Sequence, residues 1–252
     1  MDSRNRGPLP GTGQFGRVRR RGTTAGILLK APTVTARSVV QPDDDARELL
    51  QLGSGGSTAL WRVPGSGWRP RIDPPPHGLL SGSFNPRHSG HDALRDAAEA
   101  WIGGPVCFEL PLVNADKPAL EVDEAAVRSR QFDDHPLLVT RAATFVEKAQ
   151  ILPGVTFVVG VDTAFRIVAP RFYSRSDDPR PADAAMLAGL AELRDRGCRF
   201  LVAARTQEGQ VLRLADVPVP DAFHGLFAEL PVDRFLCDLS SSELRGMAAD
   251  DP

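Results

Sequence analysis

From residue 77 onward, short apolar runs alternate with longer stretches in which apolar and polar residues recur at helical spacing. The runs contain few polar positions, as expected for strands buried on both faces of a parallel sheet. The predicted strands are residues 78–84, 106–110, 137–140, 156–160 and 199–203. The predicted helices are residues 90–101, 123–131, 143–151 and 181–196, with a final short helix that opens at 240–242. This alternation predicts an α/β fold, a Rossmann-like open parallel sheet with helices on both faces.

The N-terminal part of the chain has a different character. Residues 1–74 are rich in Gly, Pro, Arg and Ser and show little sustained periodicity. We therefore expect an irregular segment at 1–74, followed by an α/β domain at 75–249. The sequence leaves open what the segment does, including whether it is a targeting segment or the remnant of a lost domain.

The composition narrows the class of partner. The 252 residues carry a formal net charge of -2 and have a pI near 6.2, so there is no overall cationic field to attract nucleic acid. No apolar run approaches the roughly 18 residues that a membrane-spanning helix needs. The three cysteines lie far apart and form no CxxC pair, which favours a reducing compartment. We expect a cytoplasmic protein that binds neither nucleic acid nor membranes, and its oligomeric state stays open.

The segment between the first predicted strand and the first predicted helix carries a strong chemical signal. Residues 82–91 read Gly-Ser-Phe-Asn-Pro-Arg-His-Ser-Gly-His. In an open parallel sheet this position favours phosphate, because the first turn of the helix offers unsatisfied backbone N–H donors. Gly82 and Gly90 let the backbone approach a ligand closely. His88 and His91 are three residues apart, so both imidazoles can donate hydrogen bonds to phosphoryl oxygens above the first turn.

A second stretch near the C-terminus also suits an anion. Residues 238–245 read Asp-Leu-Ser-Ser-Ser-Glu-Leu-Arg, so three hydroxyls precede a helix-like stretch. Ser240 and Glu243 have the spacing of a capping box, which is compatible with phosphate binding at the same helix start. Arg245 adds a permanent charge that can bind an anion through two N–H groups.

Both stretches resemble signatures of the nucleotidylyltransferase superfamily, also described as cytidylyltransferase-like. The first matches Gly-Ser-Phe-x-Pro-x-His-x-Gly-His at every defined position. The second resembles Ile-Ser-Ser-Thr-x-Ile-Arg, with Leu in place of Ile and Ser in place of Thr. The resemblance implies that His88, His91 and Arg245 stabilise the charge that develops on the transferred phosphates. It also implies that the nucleotide is bound by Gly82, Ser83, Phe84, Asn85, Gly90, Ser240, Ser241 and Ser242.

Two further segments resemble parts of the same family. Residues 157–163 are similar to the Gly-x-Asp segment at the end of the fourth strand, so Asp162 is a candidate for binding the acceptor or a ribose hydroxyl. An N-cap of the following helix is the alternative role for this aspartate. Residues 108–118 resemble a segment of proteins of the nicotinamide mononucleotide adenylyltransferase type and make Lys117 a second candidate for acceptor or ribose binding.

The resemblance implies a reaction in which AMP passes from ATP to a phosphate-bearing acceptor such as nicotinamide mononucleotide, with release of pyrophosphate. Mg2+ would be carried with the nucleotide triphosphate and not by a protein site. This reaction would place the protein in NAD biosynthesis. Two alternatives stay open: an enzyme with another substrate, either CTP as donor or phosphopantetheine as acceptor, and a nucleotide-binding module without catalysis.

Overall fold

The computed structural model describes residues 42–52, 58–114, 118–173, 179–207 and 209–236. Among these residues, eight strands form one sheet in the order β10-β7-β6-β3-β4-β5-β1-β2, and β8 and β9 form a separate antiparallel hairpin. The strands are β1 (Ala59–Val63), β2 (Gly67–Arg69), β3 (Gly78–Ser81), β4 (Val106–Pro111), β5 (Leu137–Thr140), β6 (Thr156–Gly160), β7 (Arg199–Ala203), β8 (Arg205–Gln207), β9 (Gln210–Leu212) and β10 (Phe227–Leu230).

Six consecutive strands, from β10 to β5, are parallel, and their order positions the site. The chain passes from β3 to β4 and β5 on one side, then returns to β6 and continues to β7 and β10 on the other. The direction of winding therefore reverses between β3 and β6. In open α/β sheets, ligands bind beyond the carboxyl ends of the strands at this reversal.

Helices cover both faces of the sheet, which confirms the predicted fold class. They are α1 (Pro42–Leu50), α2 (Ser89–Ile102), α3 (Val122–Ser129), α4 (Phe145–Ile151), α5 (Val161–Ile167) and α6 (Pro179–Asp195), with 3-10 turns at Arg130–Phe132, Pro170–Phe172, Leu214–Asp216 and Asp221–Leu226. Apolar side chains of α1, α2 and α3 pack on one face, with Leu80 and Phe108 of the sheet. Those of α4, α5 and α6 pack on the other face, with Leu79 and Phe157. The split follows from the alternation of successive strand residues between the two faces.

Local signals fix the ends of the helices beside the site. Helix α2 ends at Gly103, which adopts a left-handed conformation with φ of 73° and donates its N–H to the carbonyl of Glu99. Helix α4 begins after Thr144, whose hydroxyl accepts from the N–H of Glu147 at 3.2 Å. The carboxylate of Glu147 accepts from the N–H of Thr144 at 2.9 Å, which completes a capping box.

The predicted elements agree with the structure in most of the sheet. Three strands, β5, β6 and β7, have the predicted bounds. The first predicted strand is too long, since β3 ends at Ser81 and the chain then turns to bury Phe84. Strand β10 and helix α5 were not predicted from the sequence. The predicted helix at 240–242 lies outside the described residues.

The prediction of an irregular segment up to residue 74 is wrong for several of its residues. Helix α1 and strands β1 and β2 lie in it, and β1 extends the sheet by antiparallel pairing with β5. Asp45 of α1 is buried and accepts a hydrogen bond from the indole of Trp68 at 2.8 Å. Trp61 and Leu60 of β1 are buried as well. These elements are too short to show a clear period in the sequence, and they are held by contacts with distant residues. No helix in the described ranges is long and apolar enough to cross a bilayer.

Candidate active site at the carboxyl ends of the strands

The predicted phosphate turn follows β3 at the point where the sheet reverses its winding. Its conformation depends on Phe84, which has a positive φ of 43° and a fully buried side chain. The Phe84 ring packs edge-to-face on Phe108 and Phe132, with centroids 5.4 and 5.0 Å apart. A Cβ atom on Gly82 would lie 2.7 Å from this ring, which only glycine avoids. The core thus dictates the shape of the turn.

The turn places both histidines at the start of α2, as predicted. The imidazole rings of His88 and His91 lie with their centroids 3.8 Å apart. The backbone N–H of His88 donates to Nδ1 of His91 at 3.1 Å. The rings of His91 and Phe84 also pack edge-to-face, with centroids 5.0 Å apart, so the buried phenylalanine supports the histidine pair.

The hydrogen bond fixes the protonation of His91. Since Nδ1 accepts from a backbone N–H, the neutral ring carries its proton on Nε2, which is then free to donate. Burial lowers the pKa of His91 to about 4, with further lowering from His88 and Arg87. Burial also lowers the pKa of His88, against an opposing effect of Asp92. The pair is therefore uncharged near neutral pH. Nδ1 of His88 is buried and has no hydrogen-bond partner among the described residues.

Two residues outside the predicted set hold the turn in place. Gln131 accepts from the N–H of Arg87 at 2.7 Å and donates to the carbonyl of Phe84 at 3.0 Å, so one amide binds both ends of the turn. The guanidinium of Arg87 binds Asp134 and Asp92 and lies over the rings of Phe108 and Phe132. Arg87 lowers the pKa of Asp134 through this hydrogen bond. Nothing in the spacing of Gln131 signals this role, because the contact spans more than 40 positions of sequence.

The other predicted residues of the turn differ in how exposed they are. Ser83 and Asn85 are exposed at its tip, where a ligand can reach them. The side chain of Phe84 lies in the core, so a contact between this residue and phosphate could involve only its backbone. A Cβ atom on Gly90 would crowd Nδ1 of His88 at 3.0 Å, so the glycine makes room for the imidazole.

A cavity of about 280 Å³ opens next to the turn. Its lining includes Ser81, Gly82, Ser83, Pro111, Asn114, Thr144, Phe145, Lys148, Thr163, Arg166, Phe172 and Tyr173. These residues follow β3, β4, β5 and β6, so the cavity lies at the carboxyl edge, where the fold predicts a ligand. Burial raises the pKa of Tyr173 to about 12, and its hydroxyl donates to the carbonyl of Ile167 at 2.8 Å.

The predicted acceptor residues have different outcomes. Asp162 lies in the first turn of α5 and not at its N-cap, which is Gly160. Its carboxylate binds the guanidinium of Arg205 at 2.6 Å. This ion pair ties α5 to the first residue of β8, so a ligand that used this carboxylate would have to share or displace Arg205. Lys117, the three serines at 240–242 and Arg245 lie outside the described residues.

Within the described ranges, no three His, Cys, Asp or Glu side chains converge on one point. No known protein-family model matches the chain, and no curated protein matches it significantly. The family resemblance therefore rests on the two motifs.

Proposed function

We propose that this protein is a nucleotidylyltransferase that transfers AMP from ATP to the phosphate of a small acceptor, with nicotinamide mononucleotide as the first candidate. The observation that carries the proposal is the pair of neutral imidazoles, His88 and His91, with ring centroids 3.8 Å apart at the start of α2, on a turn whose Gly82 and Ser83 line a ligand-sized cavity. This arrangement offers hydrogen-bond donors to phosphate and room for an acceptor at one edge of the sheet.

The chemistry needs little from the protein beyond position and charge. An oxygen of the acceptor phosphate attacks the α-phosphorus of ATP, a new P–O bond forms, and the bond to the β-phosphate oxygen breaks as pyrophosphate leaves with Mg2+. A phosphate monoester is largely a dianion at neutral pH, because its second pKa is near 6, so no general base is needed. The work that remains is to align two anions and to stabilise charge on the transferred group.

The two histidines suit that work in their neutral form. His91 carries its proton on Nε2, and both rings lie at the helix start, where the unsatisfied N–H groups of α2 also favour phosphate. Donors that are fixed before the reaction stabilise developing charge without reorganisation. We further propose that the β- and γ-phosphates are bound by Ser240, Ser241, Ser242 and Arg245, as the family resemblance implies.

The test uses His91→Asn, which keeps an acceptor near the position of Nδ1 but removes the Nε2 donor. Pyrophosphate release should fall by about two orders of magnitude or more, the usual cost of losing one transition-state donor. His224→Gln is the control, because this histidine is exposed and lies in the 3-10 turn Asp221–Leu226, not in the phosphate turn. Near-normal turnover in His91→Asn, or no pyrophosphate from the wild type across a panel of ATP, CTP and phosphorylated acceptors, would count against the proposal.

A further inference from the structure

A buried ion pair adjoins the cavity, and its lysine, Lys148, is part of the cavity lining. Lys148 of α4 and Glu109 of β4 are 5% and 0% exposed, and Nζ lies 2.8 Å from Oε2. Glu109 also accepts from the hydroxyl of Thr140 at 2.5 Å, and Lys148 donates to Oγ of Ser81 at 3.2 Å. Both carboxylate oxygens are thus occupied. Glu109 is the charged residue within an otherwise apolar strand, and a charge there needs a partner.

The pair leaves one donor for a ligand. A lysine ammonium has three N–H groups, and among the described residues Glu109 and Ser81 take two of them. Lys148 lines the cavity, so the third N–H is available to whatever binds there. Because Glu109 neutralises the ammonium, this wall donates a hydrogen bond without carrying net charge.

That absence of net charge makes the wall selective. A carbonyl oxygen placed beside Lys148 gains a hydrogen bond and buries no charge. A carboxylate in the same place would add a third charge to a neutral pair, and a buried charge without compensation is costly. The other charged residue of the described lining, Arg166, is exposed, so water and salt screen its effect on the interior of the cavity.

The surroundings of Lys148 suit a planar ring. Phe145, Phe172 and Tyr173 contribute aromatic surface to the cavity, and Nζ of Lys148 lies 5.2 Å from the centre of the Phe145 ring. A flat ring against these walls would therefore bring its own polar substituent close to the lysine.

We propose, on the basis of the function above, that Lys148 selects between acceptors by donating a hydrogen bond to an uncharged carboxamide on the planar ring of a mononucleotide. Glu109 makes the site reject the corresponding carboxylate. Nicotinamide mononucleotide and nicotinate mononucleotide form the matched test pair, because they differ only at this substituent.

The experiment measures binding of the two mononucleotides by calorimetry without ATP. The wild type should bind the carboxamide about tenfold more tightly or better. Glu109→Gln keeps the size of the side chain but leaves the lysine charge without its counterion, so the preference should shift toward the carboxylate. Equal or tighter binding of the carboxylate by the wild type overturns the inference, and so does an unchanged ratio in Glu109→Gln.

A double variant, Glu109→Leu with Lys148→Met, guards against a folding defect in the single variant. Replacing a whole buried ion pair by apolar residues is usually tolerated, whereas removing one partner is not. The double variant should lose the preference for the carboxamide, and a retained preference would overturn the inference. Binding of neither mononucleotide by the wild type would also overturn it. A carboxamide preference without pyrophosphate release from ATP would instead support this inference and contradict the proposed function.

Discussion

The protonation of His91 predicts a specific dependence of stability on pH. Its pKa in the folded protein is about 4, mainly because of burial, whereas histidine in an unfolded chain has a pKa near 6.5. Between these values the unfolded state binds more protons than the folded state. The free energy of unfolding should therefore be highest above pH 6.5 and fall as the pH drops toward 4.

The size of the effect follows from the two pKa values. Lowering the pH from 7 to 5 should cost about 1 to 2 kcal/mol at this one site, with solvent screening of the half-buried ring favouring the lower end. His88 shifts in the same direction, so it adds to the loss. Mutation of His91 to Asn should remove the part that belongs to His91 while keeping an acceptor for the N–H of His88.

Urea denaturation at pH 7 and pH 5 measures the loss, and NMR titration of the histidine ring protons assigns it. His224→Gln is the control and should keep the full pH dependence of the wild type, since that side chain is exposed. The reasoning is refuted if the His91 ring in the free protein takes up its proton at pH 6.5 or above. An identical loss of stability in the wild type and in His91→Asn would refute it equally.

Two further predictions concern contacts that the structure reveals. Gln131→Ala removes the side-chain amide that binds the backbone of both Phe84 and Arg87. The free energy of unfolding should therefore fall by about 2 kcal/mol, and amide hydrogen exchange in the turn should accelerate. Unchanged exchange would show that the turn does not depend on this residue. Asp45→Ala should cost about 2 kcal/mol in urea denaturation, because it removes the partner of both the Trp68 indole and the Arg130 guanidinium, whereas Asp45→Asn keeps an acceptor and should cost less. Equal losses in the two Asp45 variants would contradict this account of how α1 is held.

The sequence alone determined the features that depend on neighbours along the chain. The alternation of apolar runs and amphipathic stretches predicted the α/β class, and it gave the bounds of β5, β6 and β7. The spacing of His88 and His91 placed both rings at one helix start, because residues three apart share a face of a helix. These signals are local, so they can be read without knowledge of the partners.

Only the tertiary structure decided which distant residues complete the site. Lys148 has the sequence appearance of an ordinary lysine on a short amphipathic helix, yet it is buried against Glu109, 39 positions away. Gln131 and the edge strand β1 likewise owe their roles to partners far along the chain. The physical reason is that burial and ion pairing are set by how the elements pack. A periodic pattern states which face of an element is apolar, but it does not state which other element covers that face.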